Sequence, residues 1–168
     1  MSDAWPRDAL PKGTKFNGYE IVEILGRGGF GITYRARDGI DQAFAIKECF
    51  PRPMAVRQGS EVLPAAPSEA EAFKDCLARF VNEAKALTQL SSAEGIVAEG
   101  IVKAVTFFPA NGTAYIVMEH LAGQSLDSVL KASPAGLEEQ RLRVILDGLL
   151  RALDRVHGAG LLHRDITA

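Results

Sequence analysis

Three groups of residues in this sequence have the types and spacing needed to handle a phosphate ester. The stretch LGRGGFGITY, residues 25–34, holds Gly26, Gly28 and Gly31 at GxGxxG spacing. Such a loop lets backbone N–H groups approach a phosphate closely. Lys47, in AFAIK, supplies a positive charge that could meet phosphate oxygens. A lysine facing phosphates from a partly buried strand needs a carboxylate to keep it charged and aimed. Glu83 is the candidate: it lies three residues after Phe80 and four before Leu87, at the edge of an apolar helical stripe. The third group is His-Arg-Asp in LLHRDI, where Asp165 could accept a proton from a hydroxyl.

The elements that must carry these residues decide which phosphate loop this is. A dinucleotide fold places a helix between the glycines and the next strand, with an acid about 20 residues on. Glu48 stands near that distance, but the intervening ITYRARDGIDQ is β-branched, aromatic and broken by an Asp-Gly turn. That is hairpin chemistry. A Walker A loop needs Gly-Lys-Ser/Thr, whereas Gly31 is followed by Ile32 and Thr33. The glycine loop is therefore expected at a strand-to-strand turn, as a flap over a nucleotide.

The remaining pattern agrees. YEIVEILG, GITYRA, QAFAIKEC, KAVTFF and TAYIVMEH read as five strands, and Asn111-Gly112 marks the last hairpin. Asn111-Gly112-Thr113 also fits a glycosylation sequon, a reading set aside because no secretory signal opens the chain. A helix is predicted over 69–90, with Ser68 and Glu71 as a capping box and Phe73, Leu77, Phe80, Ala84 and Leu87 on one stripe. Glu69 and Glu71 fit the first turn of that helix better than a site. Residues 51–68 contain four prolines and read as a loop insertion; residues 1–17 read as a flexible or loosely docked lead-in. SLDSVLKA is a short helix. A long helix follows from residue 137, with Leu142, Ile145, Leu149, Leu153 and Val156 on one face.

Composition is that of an ordinary globular chain: 47% hydrophobic, 24% charged and a net charge of −2 over 168 residues. That balance gives no sign of nucleic-acid or membrane binding, and no nucleic-acid partner and no membrane segment are expected in this chain. Cys49 and Cys76 have no metal or redox spacing, which points to reduced thiols and a cytoplasmic location. A membrane anchor elsewhere in a longer parent chain is compatible with all of this.

These motifs, in this order, resemble the eukaryotic-type protein kinases. GRGGFGITY resembles the glycine-rich loop, FAIK the strand lysine motif, and HRDI the start of the catalytic loop. YIVMEHLAGQSL resembles the fifth strand and hinge. IKECFPRPMAVRQGSEV and ANGTAYIVMEHLAG resemble a bacterial subgroup of serine/threonine kinases, and the resemblance covers residues 17–168. It implies an α+β fold. A small lobe over 18–120, a five-stranded antiparallel sheet plus one helix, would be followed over 121–168 by the hinge and the first helices of an incomplete helical large lobe.

The resemblance also implies roles. The loop Gly26, Arg27, Gly28, Gly29, Phe30 and Gly31 would cover the ATP phosphates. Leu25, Thr33 and Ala45 would line the adenine pocket, with Met118 as gatekeeper and the backbones of Glu119 and Leu121 at the adenine edge. Lys47 would hold the α- and β-phosphates, with Glu83 as its ion-pair partner. Asp165 would orient the substrate hydroxyl and take its proton. Arg164 would pair with a phosphorylated activation loop. Two departures stand out: Thr33 replaces the usual valine, and Thr167 stands where serine/threonine kinases carry lysine.

ATP and Mg2+ or Mn2+ are the implied cofactors, and the groups that hold the metal would follow residue 168. The implied partners are ATP and a protein substrate. The chain alone is expected to be inactive and to self-associate through the exposed large-lobe helix. The alternatives are a pseudokinase, or nucleotide-binding interaction module, and a small-molecule kinase.

Overall fold

The computed structural model describes residues 5–92, 100–133 and 136–160. In chain order they form β1 (Lys15–Phe16), β2 (Tyr19–Arg27), β3 (Gly31–Arg37), β4 (Ala43–Cys49), β5 (Ala55–Gln58), β6 (Glu61–Pro64), α1 (Ala70–Ser92), β7 (Ala104–Ala110), β8 (Thr113–Glu119), α2 (Leu126–Lys131) and α3 (Glu139–Gly158). The main sheet is antiparallel throughout, in the order β1-β2-β3-β4-β8-β7. The five expected strands are its body, and the two-residue β1 extends one edge. Asn111 and Gly112 close the β7–β8 hairpin with φ of 52° and 68°. Two successive left-handed residues match the twist of the flanking strands, which is why Asn-Gly is favoured there.

Period-2 alternation on β4 sends Phe44, Ile46 and Glu48 to one side and Ala45, Lys47 and Cys49 to the other. The register carries this across the sheet: Lys47 stands opposite Thr33 and Ile116, Glu48 opposite Ile32 and Tyr115. Helix α1 covers the Lys47 side. Its Phe80 and Ala84 are buried with Cys49, Ala104, Ala114 and Ile116, while Leu77 and Leu87 pack on the rim. Each large apolar side chain so buried contributes roughly 1.5–3 kcal/mol. The helix does not begin with the expected capping box. A 3-10 turn, Pro67–Glu69, precedes it, so Ser68 lies inside that turn and the α-helix starts at Ala70. Pro67 at the turn's first position favours that start, because its missing N–H needs no partner there.

The opposite side of the sheet is covered too, and this corrects two expectations. Residues 51–68 are not a plain loop insertion. They contain a hairpin, β5–β6, paired from Ala55↔Pro64 to Gln58↔Glu61. Its Val62 and Ala55 are buried against Tyr34, Ile46 and Val117. The prolines flank this ladder rather than interrupt it: Pro51 and Pro53 precede β5, and Pro64 ends β6. Nor is the lead-in over 1–17 loose where it is described. Ala9 and Leu10 are buried in the same core and Trp5 packs against it. Docking follows from chemistry the chain can satisfy: the Leu10 N–H donates to the Tyr34 hydroxyl at 3.0 Å, and Trp5 Nε1 donates to the Leu10 carbonyl at 2.8 Å.

A buried polar network joins these covers to the sheet. Glu48 is fully buried. Its Oε2 accepts from the Tyr34 hydroxyl at 2.7 Å and pairs with Arg57 Nη2 at 2.5 Å, and its Oε1 accepts from the Tyr115 hydroxyl at 2.7 Å. Arg57, on β5, also donates to the Asp8 and Ser60 carbonyls and lies over the Phe50 ring. A buried charge persists only when paired and hydrogen-bonded in this way.

Burial, with the Glu48 charge next, raises the pKa values of Tyr34 and Tyr115 well above the ordinary 10.0. Burial, then the neighbouring Cys76 thiol, pushes Cys49 up from 9.0 to about 12. Raised acid constants mean stability that is intact below the unfolded-state values and lost as pH rises through the folded ones. Unfolding midpoints in urea are therefore expected to be insensitive to these groups at neutral pH and to fall steadily above about pH 9. A flat profile from pH 8 to 11 would contradict this.

The described residues fall into two compact units, the second beginning after His120 and including the segment before Lys103. In the second, Ser125 caps α2 through the Ser128 N–H at 3.2 Å. Ala152 is the buried residue of α3, and it sits against Gly100, where an added Cβ would meet the Ala152 Cβ at 3.2 Å. Leu142, Leu149 and Leu150 on α3 are exposed.

Candidate nucleotide site

The site is built on the first unit. Lys47 sits mid-strand on β4, and the covering helix brings Glu83 to it: Lys47 Nζ lies 3.2 Å from Glu83 Oε1. The ammonium also stands 5.7 Å from the centre of the Phe80 ring, one turn earlier on α1. The lysine is thus aimed by a carboxylate on one side and an aromatic face on another. Both partners keep solvent access, with side chains 37% and 51% exposed, so the pair is open to a third, anionic group.

The glycine loop joins β2 to β3, and a Gly28 N–H to Gly31 carbonyl bond of 2.9 Å closes its turn. The glycines are not equivalent. A Cβ on Gly31 would sit 2.6 Å from the Glu48 carbonyl oxygen, so close packing of β3 on β4 requires glycine there. A Cβ on Gly26 or Gly29 would meet nothing, and one on Gly28 would meet an atom only at 4.0 Å. Among the described residues, packing does not require glycine at those three positions, and the absence of side chains there leaves the backbone open to approach. Phe30 at the tip is 70% exposed.

The other predicted residues are placed as follows. Thr33 faces Lys47 across β3–β4, and Ala45 faces Met118 across β4–β8, so all four line one side of the sheet. Met118 packs on the α1 cluster. Leu25 is exposed near the end of β2. Glu119 ends β8; its N–H is already bonded to the Lys103 carbonyl at 3.0 Å, and its Oε1 accepts from the Lys103 N–H at 2.9 Å. Leu121 is exposed and belongs to the second unit. Arg27 forms an ion pair with Asp8. Asp165, Arg164 and Thr167 lie outside the described residues. Among the described residues no cluster of three His, Cys, Asp or Glu side chains could hold a metal ion. The lysine and open glycine loop fit a nucleotide's phosphates.

Sequence reasoning missed Phe80's place at the lysine, because a stripe residue reads as core. It also missed Asp8, Arg52 and Arg57, which lie in segments read as lead-in and loop. One signal was available: Gly59-Ser60 between two short β-prone runs is a two-residue hairpin dipeptide.

Comparison with known proteins agrees with this architecture. Residues 19–168 match the protein kinase domain family, and the chain belongs to that family. It is 32% identical over 150 residues to serine/threonine-protein kinase PknA of Nostoc sp., covering 89% of this chain and 24% of that protein. It is 31% identical over 149 residues to serine/threonine-protein kinase pkn3 of Myxococcus xanthus, covering 88% and 23%. The chain therefore spans about a quarter of the length of these relatives. Among solved structures, the apo form of PpkA-294 superposes with a TM-score of 0.86 at 33% identity, covering 95% of this chain and 56% of that one. The fold is that of a kinase small lobe, a curled antiparallel sheet with one helix, followed by the first large-lobe helices. No helix among the described residues is long and apolar enough to cross a membrane.

Proposed function

We propose that this chain forms the nucleotide-binding part of a bacterial serine/threonine protein kinase. The protein it belongs to would transfer the γ-phosphate of ATP to serine or threonine hydroxyls of a protein substrate. The observation that carries the reading is the Lys47–Glu83 pair at 3.2 Å on the same sheet face as Thr33, Ala45 and Met118. Phosphoryl transfer needs positioning and charge neutralisation more than covalent chemistry, and these residues supply both. Lys47 would hold the α- and β-phosphates. Backbone N–H groups of the loop from Gly26 to Gly31 would cover them, and Asp165 would take the proton of the attacking hydroxyl. Mg2+ or Mn2+, when bound, would neutralise the β- and γ-phosphates.

Small lobe, hinge and large lobe are proposed at 18–120 and from 121 onward, with a cytoplasmic location. The second reading is a pseudokinase, or nucleotide-binding interaction module, that binds nucleotide without transfer; Thr167 in place of the usual lysine bears on rate and hydroxyl specificity. The test is an assay of the full protein with labelled ATP, magnesium or manganese and a generic protein substrate, followed by phosphoamino-acid analysis. Labelled serine or threonine that disappears in Lys47→Ala supports the kinase. Saturable ATP binding without transfer supports the second reading, and absence of ATP binding overturns both. The 168-residue chain by itself is expected to bind ATP weakly and transfer nothing.

The exposed Leu142, Leu149 and Leu150 on α3 add an expectation for that chain alone. Sedimentation velocity should show its weight-average mass rising with concentration, and Leu149→Glu with Leu150→Glu should reduce the rise. A concentration-independent monomer would refute self-association.

A further inference from the structure

We infer that Asp8 is a positioning residue for the glycine loop, holding it from outside the sheet through Arg27. This inference rests on the nucleotide reading above. The Asp8 carboxylate bridges two arginines from segments far apart in sequence: Oδ1 pairs with Arg27 Nη2, within the loop motif, and Oδ2 lies 3.6 Å from Arg52 Nε, just after β4.

Two features make this a clamp rather than a chance surface contact. The segment that presents Asp8 is anchored independently of its side chain. Ala9 and Leu10 are buried, the Leu10 N–H donates to Tyr34, and the Asp8 carbonyl accepts from Arg57 Nε at 2.8 Å. Arg57 is itself fixed by the buried Glu48. The loop, in turn, is tied to the same neighbourhood on its other side. The Arg52 N–H donates to the Gly29 carbonyl at 3.0 Å and the Phe50 N–H to the Phe30 carbonyl at 3.1 Å. The loop tip is thus fastened by backbone bonds to residues 50–52, and its ascending arm by Asp8.

The chemical consequence is twofold. A loop held in place gives up less conformational freedom when phosphates arrive, so binding is tighter. The same pair also holds the Arg27 guanidinium on Asp8, which fixes the arm of the loop that carries it. Burial raises the Asp8 carboxyl, but the Arg27 hydrogen bond and the Arg27 and Arg52 charges outweigh it and hold the group below the usual 3.8. The clamp is therefore charged throughout the neutral range.

The test is made in the full protein with Asp8→Asn, Asp8→Glu, Arg27→Gln and the Asp8→Asn/Arg27→Gln double variant. Dissociation constants are measured for ATP and for adenosine. Asp8→Asn and Arg27→Gln are each expected to weaken ATP about threefold to fivefold, and the double variant no more than either alone. Adenosine, which lacks the phosphates, should bind all variants alike, and Asp8→Glu should recover most of the loss. Tryptic cleavage after Arg27 should quicken in Asp8→Asn, and that readout does not require ATP binding. If the wild type binds no ATP but cleavage quickens, the nucleotide reading fails and the clamp stands. If ATP affinity and cleavage are unchanged, or if adenosine weakens equally, Asp8 has no positioning role.

Discussion

Replacing Arg57 with alanine is expected to lower the unfolding free energy by roughly 3–5 kcal/mol, among the largest single losses available in this fold. The Glu48 and Arg57 side chains are 0% and 3% exposed, so removing the guanidinium strands a buried carboxylate whose remaining partners among the described residues are the Tyr34 and Tyr115 hydroxyls. The same change deletes the bonds to the Asp8 and Ser60 carbonyls, which tie the lead-in and the β5–β6 hairpin to the sheet. Urea unfolding followed by Trp5 fluorescence would report it, since Trp5 is the single tryptophan and packs on this core. Arg37→Ala is the control. Its pairs with Glu20 and Asp41 involve a side chain 48% exposed, and such solvent-screened pairs contribute little. Converting both partners, as Glu48→Leu with Arg57→Met, should recover part of the loss, because no buried charge then remains. Recovery stays incomplete because two tyrosine hydroxyls lose their acceptor. Equal effects of Arg57→Ala and Arg37→Ala would show that the buried pair contributes nothing special.

Lys47→Ala is expected to reduce phosphoryl transfer by the full protein by on the order of 10²-fold or more, the scale on which removing one charge-stabilising donor acts. Glu83→Gln should reduce it less, because the lysine keeps its charge and loses only its aim. The double variant should be no worse than Lys47→Ala, since Glu83 acts through the lysine, and residues that work as a unit are not additive. Stability is the necessary control. The pair is too exposed to hold the fold together, so the unfolding midpoint should scarcely move in either variant. Initial rates against ATP concentration, with circular dichroism melts, separate the outcomes. A folded Glu83→Gln protein that turns over like the wild type would remove Glu83 from the site.

Much of this could be read locally. Alternation located the five main strands, Asn111-Gly112 their last turn, and the stripe from Phe73 to Leu87 the face that α1 buries. These signals lie within a few residues of one another, so the chain states them without its fold. The order of glycine loop, strand lysine and helix acid is likewise a sequence property. Other features depend on pairs that no periodicity announces. Four prolines in 51–68 argued for irregular chain, yet all of them flank or end the hairpin, and its burial in one core with Tyr34, Ile46 and Val117 outweighs that signal.

Lys47 and Glu48 show the division most sharply. Adjacent residues on a strand must face opposite ways, and that much the sequence determined. Which charge would stay open to a ligand and which would be sealed in was decided by the two covers of the sheet. Helix α1 leaves the lysine partly exposed beside Glu83, whereas the lead-in and the hairpin close over Glu48 and supply Arg57 as its counter-charge. A carboxylate cannot stay ionised without water unless such a partner arrives, and Arg57 reaches Glu48 from a strand of a separate sheet.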